Sequence, residues 1–544
     1  MRQAELRLRA AGSSRARPAV PVDQDGGRAR HAGPAAGGRG GGEGARRAGP
    51  LPGVRRPERG DRGGERGDLR GPAGAAFGGG RAPGRAGRGK RGLCEALAAE
   101  AAAEVGRLAG QAAAALAAGQ GLEAAELAIR AGLTQLGRGL LEPLLAADPG
   151  YRGPRTDCRS GHQAGFVSYR DKTIDTVLGP VTVRRAWYHC AQCGHGFAPR
   201  DAGLGVAGQT MSPGLAKMAA RAGEAVPFTP GAALVAELAG ITLTGRRLGR
   251  HAEADGRAAA AVIEAEAAAI AARTLVPLPP AVLPDKLYIA VDGTGVPMRT
   301  AETEGRPGKG EDGKARTREV KLVCVFSQAT VDENGYPVRD PGSSSYLATF
   351  APAAGFGTLM AAEARRRGAG HVRQLTILGD GAHWIWNLAT AHFPEATQIV
   401  DLYHAREHLH DLGKLLAFML GDQHQDWLAE RSDELDAGDI DAITAAARVF
   451  PMTGTKAEAL DTALGYFETN APRMRYKHFR SCGLFVGSGA VEAGCKAVIG
   501  QRLKLSGMHW SQPGATGILT LRCQQASGRW EEIWQQPGDR TPAA

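Results

Sequence analysis

The chain has 544 residues, 43% of them hydrophobic, which is enough for three or four domains with sizeable cores. Eight cysteines are too few for a disulfide-stapled secreted scaffold, no apolar run reaches the roughly 20 residues of a membrane helix, and the arginine-bearing N-terminus lacks the apolar stretch of a signal peptide. The net charge of +11 comes from the first 92 residues, where 21 Lys and Arg face 8 Asp and Glu; the remainder is nearly neutral, so basicity alone says nothing about its partners.

Residues 1–92 are rich in Gly, Arg, Ala and Pro, and no apolar periodicity offsets the entropy of ordering them. A disordered tail is expected; a phosphate-tracking basic arm and an overextended translation start are the alternatives. Residues 93–150 form an Ala-rich helical segment of two helices, broken around Gly119–Gly121, with Pro143 near the end of the second. Leu122, Ala125, Leu127, Ile129, Leu133 and Leu136 recur at helical spacing and predict a packing or self-association face.

In residues 151–203, IDTVLGPVTVRRAWYHC reads as a β-hairpin turning at Gly179-Pro180 and leading into CAQCGHG. Cys190 and Cys193 form one knuckle of a zinc ribbon, and Cys158 with His162 completes a closed Cys₃His set for one structural Zn²⁺, with His195 competing for the histidine place. A small hairpin of this kind is expected to depend on its metal to fold. Two reduced thiols on a surface hairpin are the ordinary alternative.

Residues 204–275 are again helical. GAALVAELAGITLTGRRLGRHAEADG has two apolar helical runs around Gly240-Ile241, with Thr242 or Thr244 as the cap of the second. That second helix carries Arg246, Arg247 and Arg250, as a helix-turn-helix does when it docks in a major groove; an ordinary helical hairpin is the alternative. VPLPPAVLP is expected to separate this N-terminal half from the C-terminal one.

From Lys286, strands alternate with helices. KLYIAVDGTGVPM, EVKLVCVFSQA, SYLATF, QLTILGD and TQIVDLYH read as strands, with a charged loop over 300–317 and helices after the third, fourth and fifth. Residues 285–410 and 478–530 are expected to be two parts of one α/β core, 411–477 an α-helical insertion between them, and 531–544 a tail.

Three carboxylates stand out. Asp292 ends the run YIAV before Gly-Thr-Gly, Asp380 ends TILG before Gly381, and Glu492 lies on a helix after a Gly-Ser-Gly turn. Strand ends are where α/β sheets bind ligands, and oxygen donors of this kind suit Mg²⁺ or Mn²⁺. Two such ions about 3.5–4 Å apart activate an attacking oxygen and stabilise a leaving one at a phosphodiester. Singly, each has a bland reading: a turn-forming Asp, or a Glu paired with Lys496 one turn on. Trp384, Trp386 and Trp510 are candidate stacking platforms for an unpaired base, or core residues.

The segments VDGTGVPM, LGDGAHWIWNLA, IVDLYHAREHL and GSGAVEAGCKAVIGQRLKLSGMHW resemble bacterial insertion-sequence transposases of the DDE type, namely the ISKra type related to the Mutator-like branch, over about Tyr151 to Trp530. The resemblance implies an RNase H-like catalytic core with an α-helical insertion, preceded by zinc-ribbon-like and helix-turn-helix-like domains. It makes Asp292, Asp380 and Glu492 the catalytic triad holding two Mg²⁺ ions, and Asp401 with His404 an accessory Asp-x-x-His signature. Lys496, Arg502 and Lys504 join Arg246, Arg247 and Arg250 as expected DNA contacts. The implied partners are the element's terminal inverted repeats and target DNA, bound by a homodimer or larger assembly in the bacterial cytoplasm at the nucleoid. A retired, DNA-binding regulator and a nuclease without strand transfer are the alternative functions.

Overall fold

The computed structural model describes residues 86–308 and 313–535. The expected tail therefore lies outside the described residues up to position 85, as do 536–544. Helix starts at Ala86, ahead of the expected boundary at 93. Helices α1 (Ala86–Ala117) and α2 (Gly121–Ala146) pack on each other across a tight connection, in which Gly119 and Gly121 take left-handed φ values of 71° and 82°. Ala125 and Gly132 of α2 are buried, Gly132 so closely that a Cβ there would lie 2.0 Å from Leu108 of α1. Because the small residues make this contact, Leu122, Leu127, Ile129 and Leu133 are left exposed; the expected packing face points outward over most of its length.

An antiparallel sheet comes next: β1 (Arg155–Asp157), β2 (Gln163–Thr176), β3 (Gly179–Cys190) and β4 (His195–Phe197), in that order. Thr176 pairs with Gly179, so the hairpin turns at Val177-Leu178 and not at Gly179-Pro180, which open the returning strand. The Thr176 hydroxyl fixes this turn, accepting from the Leu178 N–H at 3.0 Å and donating to the Gly179 carbonyl at 2.7 Å. The turn end of the hairpin has its own core, where Ile174, Val181 and Val183 pack with Leu141 and Leu145 of α2. Beside it, Lys172 and Arg185 converge on buried Asp201 of α3 (Pro199–Gly203) at 3.1 and 2.5 Å.

Helices α4 (Pro213–Ala225), α5 (Phe228–Ala239) and α6 (Gly245–Ala271) enclose a cluster that includes Leu215, Val235 and Leu248. Gly240 ends α5 at φ 70°, and of the two candidate caps Thr244 is the one used, its hydroxyl oxygen accepting from the Arg247 N–H at 3.2 Å.

The second sheet contains β5 (Lys286–Pro297), β6 (Thr317–Gln328), β9 (Ser345–Thr349), β10 (Gln374–Gly379) and β11 (Thr397–Val400). Between these strands lie α7 (Thr300–Thr303), a small ladder of β7 (Thr330–Val331) and β8 (Pro337–Val338), α8 (Ala353–Arg366) and α9 (His383–His392). The order is β11-β10-β5-β6-β9; β11, β10 and β5 run parallel, and β6 is antiparallel to both its neighbours. Leu287 to Val291 and Leu322 to Phe326 are buried throughout, as continuous apolar strands covered on both faces are.

After β11 come α10 (Leu402–Leu420), α11 (His424–Ala437), α12 (Ile440–Arg448), α13 (Thr455–Asn470) and α14 (Tyr476–Ser481). The chain then returns through α15 (Gly489–Gly494), a π-helical turn at Cys495–Gly500, α16 (Gln501–Leu503) and α17 (Gln512–Ala526). In sequence VPLPPAVLP joins the two halves, but it does not separate them in space. Gly256 of α6 and Gly517 of α17 meet backbone to backbone, a Cβ on Gly256 falling 2.0 Å from the Gly517 carbonyl oxygen. Ala252, Ala267 and Ile270 of α6 belong to the same apolar core as the second sheet. Among the described residues no helix is long and apolar enough to cross a membrane.

Candidate functional site

Cys158 and His162 lie in the loop between β1 and β2, Cys190 at the end of β3, and Cys193 in the turn to β4. Two tight backbone turns shape these loops. The Gly161 N–H bonds the Cys158 carbonyl at 2.9 Å and the Gly194 N–H bonds the Cys190 carbonyl at 2.9 Å, both glycines having left-handed φ. The Cys193 N–H points at Cys190 Sγ (3.4 Å), and His162 Nδ1 lies 3.1 Å from Cys193 Sγ. One ligand atom from each of the four residues falls within 4.8 Å of all the others. Cys158 and Cys193 sulfurs are 3.7 Å apart, close to the ~3.8 Å edge of a tetrahedron with Zn–S bonds of about 2.3 Å. Against the desolvation of burial, backbone hydrogen bonds at Ser160 and His162 hold the Cys158 thiol below its ordinary pKa, which favours the thiolate a metal needs. The group could bind a metal such as zinc. His195 is not in it; its Nδ1 faces the Cys193 carbonyl at 3.4 Å.

The acidic residues occupy the other sheet. Asp292 does not end its strand. β5 continues to Pro297 because β6 pairs with it along its whole length, Asp292 opposite Leu322, whereas β10 accompanies β5 only as far as Ala290. Asp292 therefore stands where one strand edge has lost its partner, with Oδ1 accepting from the Gly293 N–H at 2.6 Å. Asp380 directly follows β10, and its Oδ1 accepts from the Ala382 N–H at 2.9 Å, the turn-forming bond expected of Asp before Gly. Glu492 lies on α15, and its Oε1 accepts from the Ser488 hydroxyl at 3.3 Å. The i,i+4 pair with Lys496 is not formed among the described residues, and Lys496 is exposed. In Asp380 and Glu492 these bonds engage one oxygen and leave the other, whereas Asp292 also meets the Cys495 thiol.

Cys495 opens the π-helical turn that follows α15. Its thiol is pushed far up by burial, then by the charge of Asp292 and a hydrogen bond to it, with Glu492 adding to the effect. The side chains of Asp292 and Glu492 thus both act on the first residue of the π-helical turn. Asp380 opens instead into a cleft of ≈ 560 Å³ between the β10–α9 turn, α10 and α13. Among the described residues the three carboxylates do not gather into a cluster as tight as the Cys/His group.

Asp401 is fully buried and caps α10. Its Oδ1 accepts from the His404 N–H at 2.8 Å, and its Oδ2 from the Ser488 N–H. A backbone bond from Leu402 N to the Val486 carbonyl (2.9 Å) runs alongside. With both oxygens taken by backbone donors, Asp401 is a fastener between α10 and the start of α15, and Ser488 passes that constraint on to Glu492. The other half of the signature, His404, lines the cleft.

The expected DNA contacts divide. Arg246, Arg250, Lys496 and Lys504 are exposed, and the Lys504 ammonium donates to the Thr294 hydroxyl, two residues beyond Asp292. Arg247 is held by Asp175 of β2 at 2.5 Å and by Thr210 at 3.2 Å, so it is already paired. Arg502 is fully buried between the rings of Phe228 and Trp510 (4.8 and 5.1 Å), donating to the Gly223 carbonyl at 3.0 Å. Burial brings its pKa down to about 10. It bolts α16 to α4 and cannot reach DNA. Trp386 and Trp510 are buried, and Trp384 packs against Phe356, so none is an open stacking platform. The sequence matches no family model and no curated protein.

Proposed function

We propose that the chain is a DNA transposase of the DDE type, with an RNase H-like core that cuts at the ends of an insertion element and joins the freed 3′-hydroxyls to target DNA. The observation that carries this reading is the arrangement of acids at one end of the parallel strands. Asp292 stands where β5 outruns β10, Asp380 directly follows β10, the neighbouring parallel strand, and Glu492 is tied through Ser488 to Asp401, which directly follows β11. The strand order, with three parallel strands and an antiparallel pair, and the helices inserted between β11 and α15 accord with it.

The donor chemistry fits divalent cations, since all three are carboxylates and Asp380 and Glu492 each keep one oxygen outside the hydrogen bonds that orient them. Mg²⁺ held by Asp292, Asp380 and Glu492 would activate the attacking water or hydroxyl and neutralise the leaving oxygen. The residues' own work is positional: backbone N–H groups aim Asp292 and Asp380, and the Asp401–Ser488 link sets the glutamate helix. The exposed Arg246, Arg250, Lys496 and Lys504 would grip phosphates, and the ribbon with its metal would help hold the element's ends. Pairing two ends calls for at least two copies of the chain.

One observation favours the retired regulator instead, namely that the three carboxylates are not drawn into a tight cluster. Both readings are tested by sequencing the gene's flanks and using DNA that carries any inverted repeats they contain. The wild type should cleave with Mg²⁺, and Asp292→Asn or Glu492→Gln should abolish cleavage with end binding retained. Undiminished cleavage in either variant refutes the triad, whereas a wild type that binds without cutting supports the regulator.

A further inference from the structure

The four side chains of the Cys/His group are not equally placed. Cys190 is the last residue of β3, fully buried, and it pairs with His195 of β4. Cys158 and Cys193 lie instead in two loops, 35 residues apart in the chain, and neither belongs to a strand. Their sulfurs are 3.7 Å apart. Cys158 is buried like Cys190, whereas Cys193 is partly exposed, so a reagent arriving from solvent meets Cys193 first.

Thiolates that hold a metal are also nucleophiles, and zinc has no redox chemistry of its own, so an oxidant acts on the sulfurs. A disulfide brings its sulfurs to about 2.0 Å, a movement that the loops of Cys158 and Cys193 can share. A bond from Cys190 to Cys193 would instead strain the tight turn that the Gly194 N–H closes on the Cys190 carbonyl at 2.9 Å.

We propose that Cys158 and Cys193 form an oxidative modification site, at which hydrogen peroxide joins the two sulfurs as a disulfide and the group gives up its metal. The Cys193 thiolate attacks a peroxide oxygen, the O–O bond breaks, and hydroxide leaves a sulfenic acid behind. The Cys158 thiolate then attacks the Cys193 sulfur; the S–S bond forms, the S–O bond breaks, and a second hydroxide leaves. The sulfurs lose two electrons to the peroxide, and two protons from solvent turn the hydroxides into water. Cys190 and His162 remain, half of a closed tetrahedral set and too few to hold zinc. The proposal rests on the group holding zinc and is independent of the transposase reading.

The test uses the full chain, reduced, loaded with zinc and then exposed to hydrogen peroxide. Released zinc is followed with a coloured chelator, and disulfides are mapped by mass spectrometry of unreduced peptides. Wild type should release about one zinc for each Cys158–Cys193 bond formed, and a thiol reductant with added zinc should restore the loaded state. Cys158→His keeps four ligands as a Cys₂His₂ set but removes the partner sulfur, so it should bind zinc and lose it to peroxide about tenfold more slowly. Cys482→Ser removes an exposed thiol outside the group and should behave as the wild type does. A loaded wild type that keeps its zinc in peroxide, forms a Cys190–Cys193 bond instead, or loses zinc no faster than Cys158→His overturns the proposal alone. A reduced wild type that takes up no zinc overturns the metal site itself.

Discussion

Asp255 lies on α6 with Oδ2 buried and unpartnered, and burial raises its pKa to about 6. The folded chain thus holds this proton more tightly than the unfolded chain, whose Asp titrates near 3.9. The stabilisation from the neutral acid is complete at low pH and is lost as pH rises through about 6. At pH 7 Asp255→Asn should therefore stabilise the protein, by about 1–2 kcal/mol once the solvent that still reaches the group is allowed for. Denaturant unfolding at pH 4 and pH 7 checks this; a gain that does not shrink at pH 4 would mean that charge burial is not its source. The same contrast between local sequence and distant packing explains Arg502. In RLKLSG it reads as one more exposed cation, yet its burial depends on Phe228 and Trp510, and no spacing within its own segment reports that.

Among the elements, the hairpin that carries the Cys/His group has two unlike ends. At the far end Cys158, Cys190 and Cys193 pack with Ala164, Ala186 and Tyr188, whereas the turn end is held by Ile174, Val181 and Val183 and by the Asp201 ion pairs. Cys190→Ser, or a chelator, should remove about one zinc per chain and loosen residues 155–165. Residues 170–185 should stay protected from hydrogen exchange. Lowering the pH should act in the same direction, because protons compete with metal for the thiolates. A metal-free wild type with a protected 155–165 loop would refute the site. Much of this was legible in the sequence: cysteine and histidine spacing named the three cysteines and left His162 and His195 competing for the fourth place, and the fold brings His162 to the group. The hairpin's second core was not, because it draws Leu141 and Leu145 from a different helix. Likewise the strands β5 and β6 followed from unbroken apolar runs, but Asp292's mid-strand position did not, since the end of the run YIAV reads as a strand end and only the pairing with β6 carries the strand past it.

For the whole molecule, the joint between α6 and α17 decides what unfolds together. Gly256→Ala would by helix propensity alone stabilise by about 0.5–1 kcal/mol. Here the added methyl meets the Gly517 backbone, which has no side chain to move aside, so the sign should reverse to a loss of about 1–3 kcal/mol. The shift should appear in one cooperative transition covering α4–α6 and the second sheet, followed by tryptophan fluorescence. A stabilised variant, or separate transitions for the two parts, would show that the exposed VPLPPAVLP segment does divide the molecule.

The bond from Ser488 to Asp401 has a different kind of consequence. The chain leaves the sheet at Asp401 and comes back to the same spot at Val486–Ser488, so everything between forms a closed excursion with its two ends pinned together. The exposed loops of an excursion with adjoining ends can be lengthened at little loop-closure cost to the frame that carries it. Asp292, Asp380 and Glu492 all stay outside it, while Tyr466 and Asn470 travel within it. Lengthening those loops would therefore leave the acidic frame where it stands, whereas exchanging the whole segment would not, because Leu409, Leu464 and Phe467 belong to the core of the second sheet.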